Sequence, residues 1–517
     1  MIRSFVVVAA LCCTVLGLHA QKVEEIYRDE FTDNKGRWPM MRSQQGEASL
    51  VNDVYVVERR IPQGEWVLET NAFVDYDADF DIEIRVRHIG GATDQGFGIV
   101  WGAQSAQNCN IAVVRADGQC NVHSYKGGWQ SDLVRWSPIS GFPAPGSWFT
   151  FTVRKRGSGM SLLIDGATIL GFDAPDIAGG TVGLAVGGRQ RVEMDAFVVK
   201  EVPRPFPLAD DHPVNVKREN LGPQVNCIGG DLSPVITASG KRLYFGRYPY
   251  EGNIGDPRTE DIWYTDLQPD GTWGPAQNAG RPLNNAGANF LVSIAPDENS
   301  MIVGNTYWAN GAPRGAGLSA SVRTSDGWTI PEEIRIDNYY NSHQFAETCL
   351  DPSGKVIMMA IQRVPTRGQR DLYVSWRRPD GSFTEPTNCG PQINTWGNEM
   401  TPFIAADGRT VYFATDGRRG YGGVDIWMSR RLDDTWQNWS EPKNLGPFVN
   451  TPEWDAYFSV PANGEYAYLS GQNPANNSAD LYRIKLTKGV SPLPVILISG
   501  RVLDARTKQP IATNVEY

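Results

Sequence analysis

Asp77, Asp79, Asp81 and Glu83 recur at every second position, a spacing that puts side chains of an extended chain on one face. Four carboxylates so placed suit calcium coordination, or glycoside hydrolysis by a carboxyl pair at a set separation. The run continues with Arg85 and Arg87, and Phe80, Ile82, Ile84 and Val86 alternate with the charges. That is the pattern of a strand with one wet, charge-balanced face, and this plainer reading is the one expected. Trp101, Trp129 and Trp136 offer flat apolar rings of the kind that stack on sugars, although tryptophans in a β-sandwich also serve cores. They are taken as candidate glycan contacts.

Other reactive patterns are missing. The sequence has no G-x-S-x-G elbow, no P-loop and no H-E-x-x-H. His88, His123, His212 and His343 are too scattered to suggest a metal site, and Cys109, Cys120, Cys227, Cys349 and Cys389 form no C-x-x-C pair. A hairpin turning at Asp117-Gly118 would set Cys109 opposite a position near Lys126 rather than Cys120, so buried free thiols are expected. No catalytic residue, metal ligand or cofactor is expected, and the chain reads as a non-enzyme.

The elements that must position these residues follow from composition. The 517 residues include 54 Gly, 34 Pro, 16 Trp and 19 Tyr. So many aromatic residues argue against disorder, and so many helix breakers argue against a helical bundle, leaving a turn-rich all-β chain of several domains. A net charge of −10 argues against a nucleic-acid partner. Residues 1–20 read as a secretory signal, with an apolar run from Phe5 to Leu18 and Ala20 at the cleavage position. No later stretch approaches the ~20 apolar residues of a membrane helix. An exported protein that does not span a membrane is expected.

Residues 23–202 read as alternating strands. The opening Asp29-Glu30-Phe31, the Leu163-Ile164-Asp165-Gly166 hairpin, and Gly183-Leu184 before Asp195-Ala196-Phe197 resemble the concanavalin-like jelly roll of laminin-G and glycoside-hydrolase-associated domains. The resemblance implies glycan binding as one function, although the E-x-D-x-x-E pattern of the related β-glucanases is absent. Residues 203–213 form a Pro-rich linker.

Beyond it the chain repeats itself. Asn220-Leu221-Gly222-Pro223-Gln224-Val225-Asn226 returns from Asn388 to Asn394, from Asn444 to Asn450, and more loosely from Asn278 to Asn284. In phase with it run Asp261-Ile262-Trp263, Asp371-Leu372-Tyr373, Asp425-Ile426-Trp427 and Asp480-Leu481-Tyr482. Each period holds about four short strands, so residues 214–490 predict a five-bladed β-propeller with blades beginning near Asp231, Asn289, His343, Asn398 and Glu453. The fourth strand of a blade is expected at its Trp-x-x-Pro segment. The last blade lacks one, and Val214 to Glu219 is expected to supply it, so that first and last blades join. These repeats resemble the PD40 (WD40-like) propeller family. Asp261, Asp371, Asp425 and Asp480 are then blade-structural residues that cap backbone amides. Tyr248, Tyr250, Arg418, Arg419 and Tyr421 stand in loops expected to meet partners.

Ser499 to Ile511 resembles the opening of a carboxypeptidase-regulatory-like sandwich, and residues 495–517 are read as an incomplete, truncated copy of it. The order of parts is similar to Bacteroidetes envelope proteins, in which an OmpA-like domain usually follows. That similarity implies a periplasmic or outer-membrane scaffold in a Gram-negative bacterium, with envelope proteins, glycans or, indirectly, peptidoglycan as partners. Glycan binding or hydrolysis through the jelly roll is the alternative.

Overall fold

The structure is a computed structural model that describes residues 23–177, 179–202, 206–473, 475, 478–495, 502–509 and 511. The expected signal at 1–20 and most of the regulatory-like segment lie outside the described residues. Those residues form strands and turns without a helix, and no helix among them is long and apolar enough to cross a membrane.

Residues 24–201 make a sandwich of two antiparallel sheets with concanavalin-like layering. One sheet has nine strands, with Phe80–Gly91 and Gln190–Glu201 side by side at its centre. The other has six, in the order Trp129–Pro138, Gln119–Lys126, Asn108–Arg115, Gly96–Ser105, Thr181–Gly187, Glu65–Phe73. Alternation fills the space between them: Phe80, Ile82, Ile84 and Val86 from one sheet meet Phe97, Ile99, Leu184 and Val186 from the other in one core. Phe31, Trp38 and Tyr55 close one end, with Trp38 and Tyr55 rings 5.2 Å apart.

The charged face behaves as a wet, paired surface. Asp81 is buried between Arg154 and Arg156 at 2.9 Å from each, Glu83 meets Lys200 at 2.6 Å, and Arg87 meets Glu193 at 2.6 Å. Asp79 accepts the Gly157 amide at 2.6 Å, and Asp77 precedes the strand. Cys109 stands opposite Tyr125, one residue from the expected partner, and Cys120 opposite Val114. The two thiols lie on opposite faces of their sheet, and all five described cysteines are free.

The second half holds five small sheets. Their first strands are Gly230–Ile236, Leu291–Ile294, Glu347–Leu350, Glu399–Ile404 and Asp455–Ser459, close to the expected blade starts. First strands of successive sheets lie side by side, and the fifth lies beside the first. All five line a single cavity of about 1330 Å³. Bulges with left-handed residues interrupt three of them, at Ser233, Thr401 and Tyr457 (φ 54°, 46° and 57°).

The fourth strands correct the sequence reading in three sheets and follow it in one. In the second sheet Gly327–Trp328 pairs with the third strand, Pro313–Thr324, at the expected Trp328 segment, and Glu332–Glu333 pairs with the same strand. Elsewhere the fourth strands are Gln277–Asn278, Thr387–Asn388 and Lys443–Asn444, just beyond the expected segments, so each of these contains the first Asn of the repeated motif. Trp273 and Trp439, and Phe383 at the matching place, make only isolated bridges, to Leu267, Arg431 and Arg377, the residue just after each third strand. At the seam, Glu219–Asn220 pairs with Ala479–Lys485, the third strand of the last sheet. Of the expected donor segment, Val214 to Glu219, only Glu219 takes part, joined by the following Asn220. The described part of the linker is not a free spacer either: Asn444 donates to Pro207 O at 2.8 Å and accepts from Ala209 N at 2.9 Å, and the Phe206 ring stands edge-on to Tyr421.

Asp261, Asp371 and Asp425 open third strands, and their carboxylates accept loop amides: Ile254 N at 2.7 Å, Arg367 N at 2.7 Å and Tyr421 N at 2.5 Å. Asp480 instead accepts side-chain amides, from Asn473 at 2.7 Å and Asn220 at 2.6 Å. Beside each aspartate the motif's second Asn clamps a backbone. Asn394, for example, accepts Leu372 N at 2.8 Å and donates to Leu372 O at 3.1 Å.

Candidate functional site

The outer face of the six-stranded sheet gathers polar groups that a structural sheet does not need. In Gln119–Lys126, Cys120 and Val122 face the core, so Asn121, His123 and Tyr125 face outward. Asn121 Nδ2 donates to Val134 O at 2.7 Å and to Asp132 Oδ1 at 3.2 Å, which turns its Oδ1 toward His123 Nδ1 at 2.8 Å. Nδ1 therefore carries a hydrogen and donates. The other ring nitrogen, Nε2, lies 3.2 Å from Glu65 Oε2, so a proton sits between imidazole and carboxyl.

That last contact defines the shape of the face. Glu65 and His123 stand on strands separated by three others. At a spacing of about 4.8 Å per strand a flat sheet would hold them roughly 19 Å apart, beyond the reach of two side chains. The sheet must curl toward this face. The middle strands allow it, because the floor is small: a Cβ on Gly98 would fall 2.1 Å from Ala112 O, and one on Gly183 would fall 2.2 Å from Leu68 O.

Around this concave floor stand Glu69, whose carboxyl burial pushes up, and Tyr125, whose phenol burial pushes up with help from Glu65. Burial, reinforced by Glu65 and Glu69, pushes the Cys109 thiol up to about 12, so it is no nucleophile at neutral pH. Trp136 lies under the Arg115 guanidinium, 3.5 Å from ring centre to Cζ, and Arg115 Nε is buried without a hydrogen-bond partner. Glu65 and Glu69 lie four residues apart on one strand in regular register, about 13 Å along the chain. The paired carboxyls of glycoside hydrolysis stand roughly 5–9.5 Å apart, so these two do not form such a pair.

The sequence candidates divide. Trp136 belongs to this face, and Trp129 is 84% exposed at the end of the same hairpin. Trp101 is fully buried in the sandwich core, because its position on the strand points inward; it is no partner contact. Tyr248 and Tyr250 are exposed on the first small sheet's loop, far from this face in the chain. Arg418 is turned inward, donating to Gln392 O at 2.8 Å with its Nε buried, and is corrected to an internal residue. Arg419 pairs with Glu24 of the sandwich at 2.6 Å, and Tyr421 packs on Phe206, so both make contacts within the chain. Sequence reasoning set His123 aside as isolated and passed over Glu65. The signal was Asn121, His123 and Tyr125 at alternate positions, three polar side chains on the face opposite Cys120 and Val122.

No family model matches the chain, and no curated protein matches it. Solved structures do. A carbohydrate-binding module of Bacillus subtilis is similar at 15% identity, over 32% of this chain and 99% of its own, with a TM-score of 0.26. An endo-β-1,3-glucanase of Pyrococcus furiosus is similar at 13% identity, over 36% of this chain and 97% of its own, with a TM-score of 0.28. A leech intramolecular trans-sialidase is similar at 9% identity over 83% of this chain and 98% of its own, with a TM-score of 0.28. Likenesses at these scores carry no argument for the site. The expectation that the chain is not an enzyme is withdrawn, since an endo-glucanase stands among the similar structures.

Proposed function

We propose that the chain is an exported glycan-binding protein that holds its ligand on the concave face of the six-stranded sheet. The observation that carries this reading is the convergence of Glu65, Asn121, His123 and Asp132 beside Trp136 and Tyr125 on one curled surface. A sugar ring offers an apolar face for an aromatic side chain and a rim of hydroxyls for fixed donors and acceptors. Both kinds of group stand here side by side. Export rests on the leader-like residues 1–20, and a periplasmic or outer-membrane location goes with it.

The same proposal reads residues 214–490 as a five-bladed propeller of PD40 type, following a sandwich at 23–202 and a linker. The cyclic neighbour order of the five first strands, their shared cavity and the pairing of Glu219–Asn220 with the last sheet support it. The test of function is a glycan array and affinity electrophoresis on the full chain. Saturable binding to at least one oligosaccharide is expected, weakened at least tenfold by Trp136→Ala and by Asp132→Ala in protein that melts as the parent does. Retention of no glycan, or variants that bind undiminished, would sink the reading. Product analysis of the bound oligosaccharide reads turnover in the same experiment.

A further inference from the structure

The cavity ringed by the five small sheets holds groups that the repeats do not explain. The residue before each third-strand aspartate is Glu260, Arg370, Val424 or Ala479. Val424 and Ala479 are apolar, and Arg370 is spoken for, since its Nη1 lies 2.8 Å from both oxygens of Glu347. Glu260 alone places a carboxyl there with nothing in the described chain donating to it. It lies against the backbone of Gly246, where an added Cβ would fall 1.7 Å from its Oε1, and it lines the cavity. The left-handed bulge positions show a second departure. Two carry the small residues Ser233 and Thr401, and the third carries Tyr457, whose side chain also lines the cavity. Burial raises the Tyr457 phenol, and the charges of Glu347 and Glu260 add to that.

We infer that this cavity binds a ligand carrying a primary ammonium group, with Glu260 as its counter-charge and the Tyr457 ring beside it. An unpaired carboxyl on a cavity wall is costly when ionised, and a cation that enters lowers that cost. An aromatic face adds cation–π attraction. The space, about 1330 Å³, is that of a small-molecule site rather than of a single ion. Among the described residues no three His, Cys, Asp or Glu side chains are grouped to hold a metal, which favours an organic cation over a divalent one. Asp261 stands beside Glu260 in the chain and acts on its carboxyl, and Tyr457 and Glu347 line the same cavity, the charge of Glu347 being offset by Arg370. This site lies outside the sandwich, so it stands or falls apart from glycan binding.

The experiment is titration calorimetry of the full chain at pH 8.5. The probes are 1,4-diaminobutane and N-acetyl-lysine methylamide, with butane-1,4-diol as the uncharged control. Saturable binding of at least one ammonium probe is expected, with the diol at least tenfold weaker; whichever ammonium probe binds tighter distinguishes a free amine from a lysine side chain. Glu260→Gln should weaken binding at least tenfold in protein that melts no lower. Gly246→Ala, which puts a methyl group where the carboxyl sits, should do the same by displacement, so a folding failure of either variant leaves the other to decide. Absence of saturable binding by both ammonium probes, equal binding of the diol, or undiminished binding by a folded variant would overturn the inference.

Discussion

Burial, with the adjacent Asp261 adding to it, pushes the Glu260 carboxyl up to about 8. At neutral pH this group is therefore protonated in the folded chain and ionised in the unfolded one. Folding takes up a proton, so the contribution of Glu260 to stability is lost as pH rises from its ordinary value of 4.5 through about 8. Glu260→Gln has no such titration. Its melting temperature relative to the parent should rise between pH 5 and pH 9 and then level off, and a difference that stays flat across that window would show the carboxyl to be solvated. Residues of this kind were the least legible in the sequence. Trp101 and Trp136 are the same residue type, yet one is sealed in the core and the other lies on the concave face, because side-chain direction depends on register. Glu260 gave no signal of its own, since its meaning comes from what Arg370, Val424 and Ala479 do at matching places.

Elements were far more legible. The repeated Asn-x-Gly motif and the in-phase aspartates marked five periods, and five first strands begin close to where those periods start. Three of the fourth strands were misplaced because they are two residues long, too short to leave any alternation, while the conspicuous Trp273, Phe383 and Trp439 segments make only isolated bridges; in the second sheet Trp328 does pair. The motif's second Asn holds the third strand by its backbone. Asn226 accepts Leu481 N at 2.9 Å and donates to Leu481 O at 3.0 Å, as Asn394 does for Leu372. Loss of such a clamp strands buried backbone groups, a cost of about 1–3 kcal/mol. Asn394→Ala and Asn226→Ala should therefore destabilise the second half by similar amounts in urea unfolding, although one clamp is local and the other spans 255 residues. A harmless Asn226→Ala would mean that the seam does not carry load as the other sheets do.

On the scale of the whole molecule, the two halves touch where Gly180 packs against Trp396, so that an added Cβ would fall 2.6 Å from the tryptophan Cβ, and through a few polar contacts. Arg419 meets Glu24 at 2.6 Å, Arg367 meets Asp77 at 3.6 Å, and Gln104 donates to Thr366 O at 3.4 Å. Half-exposed ion pairs of this kind contribute about 0–1 kcal/mol each. Calorimetry should accordingly resolve two unfolding transitions, and Arg419→Ala should leave both within a degree or two of the parent (an order-of-magnitude expectation for so weak a pair). One merged transition that Arg419→Ala splits would show the halves to be a single cooperative unit. The order of these halves along the chain was readable, because composition and period change at the prolines. Their mutual packing was not, since it rests on single side chains in loops.

The pairing of Glu219–Asn220 with Ala479–Lys485 also sets a timetable. A chain made from its N-terminus presents the first partner of the last sheet some 260 residues before the second one exists. Every strand pairing of the sandwich, by contrast, is available once residue 201 has emerged. The sandwich can thus be finished while the small sheets are still open, and the second half stays exposed at one edge until Lys485 arrives. A chaperone that shields strand edges would find its substrate in that interval.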